Sequence, residues 1–328
     1  MSARVTIVSG FLGAGKTSLI RALIGGVCAG EHLAVIENEF GDVGIDGDFL
    51  QNGRLRIHEI QSGCICCSLA SDFSEALHDL AAQYRPDRIL IEPSGVARLS
   101  DIRAVVARAV SERPGNLTAG GVITVADASR CAMYHEQFGA FYGDQLENAQ
   151  TILLSRTDAA APSDVQAAEA LIRRLNPRAL LLAEPWERLR PDVLLRAVNG
   201  GLPSKPPDRP AARVPLRAVS VRRARTGRRA PAHPFESWSA QNLPVWTKEA
   251  LHAALLQVDQ GLCGAVLRLK GIVFCADGRA LPFDYTPGHI DIRTGAQTAP
   301  ASGRLCAIGT ALDRERLAAL FCCAPPAR

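Results

Sequence analysis

The amino-acid sequence predicts an α/β protein: a mostly parallel sheet covered by helices, followed by a smaller α+β domain. Three observations carry this. Short aliphatic runs at 5–9, 33–37, 88–92, 122–127, 151–155 and 180–183 alternate with stretches of helical periodicity, the pattern of βαβ units. The 328 residues suffice for two cores at roughly 150 residues each. Prolines at 203, 206, 207 and 210 then interrupt the chain where neither helix nor strand ladder can continue. The expected division is a first domain over 1–202, a linker over 203–213 and a second domain over 214–328.

Taken in order, the first strand (5–9) runs into a glycine-rich loop and then a helix from residue 18. The next is the strand at 33–37. A helix over 68–84 follows, with Leu69, Phe73, Ala76, Leu77 and Leu80 on one stripe. Strands at 88–92, 122–127, 151–155 and 180–183 complete the sheet. Past the linker, strands are expected at 214–221, 264–275 and 304–308, and helices at 248–258 and 313–321. Asp277-Gly278 is a turn pairing 271–275 with 280–283.

Hydrophobic residues at 47% and charged residues at 21% exclude wholesale disorder, and aromatics at 5% require an aliphatic core. No apolar run reaches the roughly 18 residues that span a bilayer. The chain enters its first strand directly after Met1-Ser2-Ala3-Arg4, so a cytoplasmic protein without a membrane partner is expected. The net charge of +4 does not by itself call for nucleic acid. The run Arg222-Arg223-Ala224-Arg225-Thr226-Gly227-Arg228-Arg229 reads as a solvated face, or as a contact for an acidic client, ahead of an RNA site. Ten cysteines without a disulfide-framework spacing point to reduced thiols. The scattered histidines show no metal-ligand spacing.

Gly10-Phe11-Leu12-Gly13-Ala14-Gly15-Lys16-Thr17 satisfies GxxxxGK[ST] between a strand and a helix. Glycines let such a loop curl its N–H groups toward one anion at the positive end of the helix. The candidate nucleotide-binding residues are therefore Gly13, Ala14, Gly15, Lys16, Thr17 and Ser18, with Lys16 reaching the β- and γ-phosphates and Thr17 holding Mg²⁺. Lys16 is one of only four lysines in an arginine-rich chain, which marks it as an ammonium site. After the 88–92 strand, Glu92 is placed to act on Mg²⁺ or the attacking water and Gly95 to sense the γ-phosphate. After the 151–155 strand, Asp158 can accept from a guanine base and the stem of Arg156 can cover it. Ser155 stands where guanine-selective proteins carry Asn, so the GTP preference is expected to be weaker than the full motif gives. Every nucleotide motif lies before the linker, so the second domain is expected to be dispensable for nucleotide binding.

Cys64, Cys66 and Cys67 place three thiols within four residues, a density suited to a soft metal site; buried apolar thiols or a redox pair are the competing readings. In chain order, the phosphate loop, Glu37-Asn38-Glu39-Phe40-Gly41-Asp42, Gly63-Cys64-Ile65-Cys66-Cys67, Glu92-Pro93-Ser94-Gly95 and Gln145-Leu146-Glu147-Asn148-Ala149 resemble the CobW-like metallochaperone GTPases. Arg268-Leu269-Lys270-Gly271 and Ile308-Gly309-Thr310-Ala311-Leu312-Asp313 are similar to that family's carboxy-terminal domain. The resemblance implies a GTPase whose Cys-x-Cys-Cys motif binds Zn²⁺ or Co²⁺. It also implies that Glu37, Glu39 and Asp42 complete the coordination or bind Mg²⁺, and that the second domain engages a client metalloenzyme. The alternatives are a nucleotide-gated conformational chaperone for a cofactor enzyme, with structural cysteines, and a small-molecule kinase.

Overall fold

The structure, a computed structural model, describes residues 2–37, 55–59, 70–201, 235–295 and 302–322; for 55–59 and 70–72 it describes the backbone alone. The chain order is β1 (Ala3–Gly10), α1 (Lys16–Gly25), β2 (Leu33–Glu37), β3 (Leu55–Glu59), α2 (Ala70–Tyr84), β4 (Arg88–Glu92), α3 (Leu99–Glu112), β5 (Leu117–Asp127), α4 (Cys131–Glu147), β6 (Thr151–Ser155), α5 (Pro162–Leu175), β7 (Leu180–Leu182) and α6 (Pro191–Asn199). Their seven strands form one parallel sheet in the order β3-β2-β4-β1-β5-β6-β7.

The aliphatic runs predicted for this sheet are continuous because both faces are buried. Alternate residues enter different cores. Ile7, Ile36, Ile89, Ile91, Ile152 and Leu154 face a layer with Leu77 of α2, Ile102 of α3, Tyr134 of α4 and Ile172 of α5. Val8, Val35, Leu90 and Leu153 face Leu19 and Leu23 of α1 and Leu194 of α6. Each fully buried aliphatic side chain contributes about 1.5–3 kcal/mol.

The second unit comprises β8 (Glu236–Leu243), α7 (Lys248–Asp259), β9 (Ala265–Phe274), β10 (Ala280–Thr286), β11 (His289–Ile292), β12 (Gly303–Thr310) and α8 (Arg314–Phe321). Its strands form an antiparallel sheet in the order β11-β10-β9-β12-β8. Thr247 caps α7 by accepting from the Ala250 amide at 3.1 Å, and Asp313 caps α8 by accepting from Arg316 at 3.0 Å. One sheet face packs Leu269, Phe283, Leu305 and Ala307 against Leu251 and Leu255 of α7 and Leu317 and Phe321 of α8. On the opposite face, Cys306 and Ile308 of β12 join the core of the first unit.

The main strands and the final helix stand where the sequence places them. Three strands it did not indicate, β3, β8 and β11, are all sheet edges with polar residues (Arg56, His58; Glu236, Ser237, Gln241; His289, Asp291), which reads as loop. β5 begins five residues before the run at 122–127, because Gly120 and Gly121 interrupt its apolar pattern. The expected linker at 203–213 and strand at 214–221 lie outside the described residues, as does the arginine run.

Buried thiols account for most of the described cysteines outside the Cys-x-Cys-Cys motif: burial pushes both Cys28 and Cys131 up to about 11, so they stay protonated and inert. His78 on α2 is 1% exposed; its Nδ1 lies 3.0 Å from the Asn116 amide nitrogen and its Nε2 is 4.0 Å from Glu112. Burial, helped by the Arg113 charge and opposed by Glu112 and Asp79, holds its pKa below the usual value of about 6.5. The unfolded chain therefore binds the proton more readily, and this neutral histidine's contribution is present above about pH 6.5 and lost as pH falls below it. Urea unfolding at pH 7.5 and 5.5 should show wild type losing more stability on acidification than His78→Gln; equal losses would refute the assignment.

Candidate nucleotide site

β1 ends at Gly10 and α1 starts at Lys16, so the intervening loop sits at the carboxy-terminal edge of the sheet's central strand. Gly15 precedes the helix in a left-handed conformation (φ 101°, ψ 21°) and, as glycine, offers no side chain to the first-turn amides, which remain available to an anion. The Ala14 amide donates to the Phe11 carbonyl at 3.2 Å and closes the loop. Lys16 is 5% exposed, its Nζ folded over the loop and 3.3 Å from the same carbonyl.

The structure brings Glu92 to Thr17. The Thr17 hydroxyl donates to Glu92 Oε1 at 2.9 Å, uniting the start of α1 with the end of β4 in a pair of hard oxygen donors suited to Mg²⁺. Gly95 lies against the loop so closely that a Cβ there would sit 2.7 Å from the Leu12 nitrogen, which is why only glycine fits. Gln145 of α4 holds that turn, its Nε2 donating to the carbonyls of Gly95 at 3.0 Å and Ala97 at 2.9 Å. The sequence placed Gln145 in a family pattern without a role; it is a positioning residue for the Gly95 turn.

Arg156, with φ 59°, spans between domain elements: one guanidinium nitrogen donates to the Gly13 carbonyl at 3.0 Å and another to the buried Asp127 carboxylate at 2.7 Å. It thereby ties the turn after β6 to the phosphate loop. Asp158 is exposed on the following turn, and Ser155 is buried. Sequence reasoning missed Trp186, whose ring would lie 3.4 Å from a Cβ on Gly15. The signal was one of three tryptophans in the loop after the last strand of the sheet.

A cavity of about 260 Å³ opens beside the loop. Lys16, Thr17, Ser18, Glu92 and Arg156 line one side, and Arg268, Lys270, Asp284 and Thr286 of the second unit line the other. The two units are joined next to it. Phe235 packs on Phe11 of the loop (ring centroids 5.9 Å apart), Phe138 (5.4 Å) and Phe141 (4.8 Å), and Arg130 donates to the Pro287 carbonyl. This second-unit wall was not anticipated from the sequence, which assigned nucleotide handling to the first domain alone.

Of the metal set, Glu37 is described: it ends β2, half-buried, in register with Glu92 of β4 and Glu59 of β3. Cys64, Cys66, Cys67, Glu39 and Asp42 lie outside the described residues. Among the described residues no group of three or more His, Cys, Asp or Glu is placed to hold a metal ion, and no helix is long and apolar enough to cross a membrane.

A glycine-cradled helix start, a lysine over it and a Thr–Glu oxygen pair beside it define a phosphate-loop nucleotide-binding protein. The chain belongs to the CobW/HypB/UreG family: the model of that family's nucleotide-binding domain matches residues 4–183. The model described as the cobalamin synthesis protein CobW C-terminal domain matches 235–323. The chain is similar to the zinc chaperone CobW of Sinorhizobium sp (35% identical over 190 residues, 49% of this chain and 53% of that one). It is also similar to the zinc chaperone YeiR of Escherichia coli K12 (34% identical over 164 residues, 50% and 49%). It thus spans about half the length of these curated relatives. Among solved structures, Zn(II)-bound YjiA GTPase of E. coli aligns over 98% of each chain at 22% identity with a TM-score of 0.46.

Proposed function

We propose that this protein is a GTP-hydrolysing zinc metallochaperone, which takes Zn²⁺ as cargo on Cys64, Cys66 and Cys67 with Glu37, Glu39 and Asp42 as candidate further ligands, and passes it to a client metalloprotein. The observation that carries this reading is the 2.9 Å contact of Thr17 with Glu92 beside Lys16, in a sheet whose register sets Glu37 next to Glu92. The neighbouring strands β2 and β4 end on Glu37 and Glu92 in register, which supports a link between nucleotide and metal. The names of the curated relatives as zinc chaperones support the cargo. Co²⁺ remains the competing ion at a thiolate site.

In this reading Lys16 and the amides of Gly13 to Ser18 bind the phosphates, Arg156 and Asp158 hold the base, and Gly95 reports the γ-phosphate. Thr17 and the adjacent Glu92 would hold Mg²⁺, which when bound would supply charge neutralisation at the transferring phosphoryl group. The division at a linker over 203–213 belongs to the same proposal.

Controlled delivery requires the metal to be held differently in different nucleotide states. Reciprocal linkage then requires that Zn²⁺ raise GTP affinity by the factor that GTP raises Zn²⁺ affinity, typically about 5- to 150-fold. Zn²⁺ affinity measured against a competing chelator, with a GTP analogue, with GDP and without nucleotide, should differ by such a factor and weaken as pH falls, since thiols must deprotonate to bind. Identical affinities in all three states would leave a static structural site, and with it the conformational-chaperone alternative.

A further inference from the structure

The Arg268-Leu269-Lys270-Gly271 segment of β9 lines the cavity beside the phosphate loop but has been given no role there. Strand alternation sends Leu269 into the core beneath α7 and α8 and turns Arg268 and Lys270 to the other face. Register sets Asp284 of β10 beside Lys270, and Thr286 lies two residues on, on the same face. That face is the far wall of the cavity over the phosphate loop.

Its contacts are specific. Thr286 is 6% exposed, and its methyl carbon lies 2.8 Å from where a Cβ on Gly13 would stand, so the second unit touches the loop's backbone where a side chain would push it away. The Thr286 hydroxyl is buried with no hydrogen-bond partner in the structure, and the residue packs on the loop through its methyl group. Lys270 is 5% exposed. The Arg268 guanidinium is held by the two Asp284 oxygens at 3.2 and 2.8 Å, which fixes its orientation at the cavity wall. Among the described residues six cationic side chains line the cavity against three carboxylates, an excess suited to a polyphosphate.

We propose that the second domain is part of the nucleotide site: Lys270 and Arg268 contact the phosphates of a nucleoside triphosphate bound on the loop, against which Thr286 packs at Gly13. The inference rests on the nucleotide reading above and deepens it. The second domain reads the phosphates in cis. Because a triphosphate carries more charge than a diphosphate, the pull on this wall depends on which nucleotide is bound, and the domain expected to face the client is the one that senses hydrolysis.

The test uses the full chain, titrated calorimetrically with GDP and with a non-hydrolysable GTP analogue in the presence of Mg²⁺. Lys270→Met keeps the length of the side chain and removes the charge. We expect it to weaken the triphosphate analogue by about tenfold, as loss of one charge-assisted contact does, and GDP by less. If that variant gives no cooperative melt, Arg268→Gln at the cavity wall is read by the same two titrations with the same expectation. Unchanged affinities, or equal losses for both nucleotides, would overturn this inference while leaving the phosphate loop intact. A wild-type chain that binds neither nucleotide would remove the nucleotide reading itself, and this inference with it.

Discussion

Replacing Lys16 with alanine is expected to reduce GTP binding by at least about a hundredfold while leaving the fold intact. The ammonium sits over the loop, 5% exposed, and donates to the Phe11 carbonyl at 3.3 Å. Charge-assisted hydrogen bonds contribute about 1.5–3 kcal/mol each, and a lysine shared between two phosphates supplies two of them. Alanine removes both and leaves the amide cradle to bind alone. The fold is spared because the apolar packing of α1 rests on Leu19, Ile20 and Leu23, which face away from the loop into the sheet. Calorimetric titration reads the affinity and thermal melting the stability. Undiminished affinity in a folded variant would sink the phosphate-loop assignment, and loss of cooperative melting would show Lys16 to be a packing residue.

The parts of this site that were legible in the sequence are the local ones. Between β1 and α1, glycine, lysine and threonine at fixed spacing leave the backbone one way to run, and Gly13, Gly15 and Lys16 lie where that spacing puts them. Glu92 was legible because a carboxylate ending an aliphatic strand points to the edge where the loop lies. The second-unit wall was not. Alternation in Arg268-Leu269-Lys270 shows that the two cations share a face, but what opposes that face is decided by the docking of Phe235 and Ile308 on the aromatic side chains around Phe11, and no local pattern records it. Gln145 is similar: an amide near a helix end says nothing of the two carbonyls it reaches in the Gly95 turn. Arg156 falls between. The sequence proposed it beside the base from Asp158, whereas its ties to Gly13 and Asp127, made from a left-handed backbone at that residue, were not legible.

Glu92→Gln should separate binding from turnover. The substitution keeps the size and the hydrogen-bonding reach of the side chain, so the Thr17 contact at 2.9 Å can persist through the amide oxygen, and GTP affinity should change by only a few-fold. What disappears is the negative charge at the end of β4, beside Thr17 and in register with Glu37. In the proposed mechanism a carboxylate there either holds the metal's shell or orients and polarises the attacking water. Losing such a group typically costs about 10²- to 10⁴-fold in rate. The two roles differ in a second measurement, the Mg²⁺ dependence of GTP hydrolysis. If Glu92 acts on the metal, the Mg²⁺ concentration for half-maximal rate rises and excess Mg²⁺ restores much of the activity. If it acts on water, kcat falls at every Mg²⁺ concentration and the half-maximal point stays put. A variant with wild-type kcat and wild-type Mg²⁺ dependence would remove Glu92 from the reaction and reduce its bond to Thr17 to a structural tie between β4 and α1.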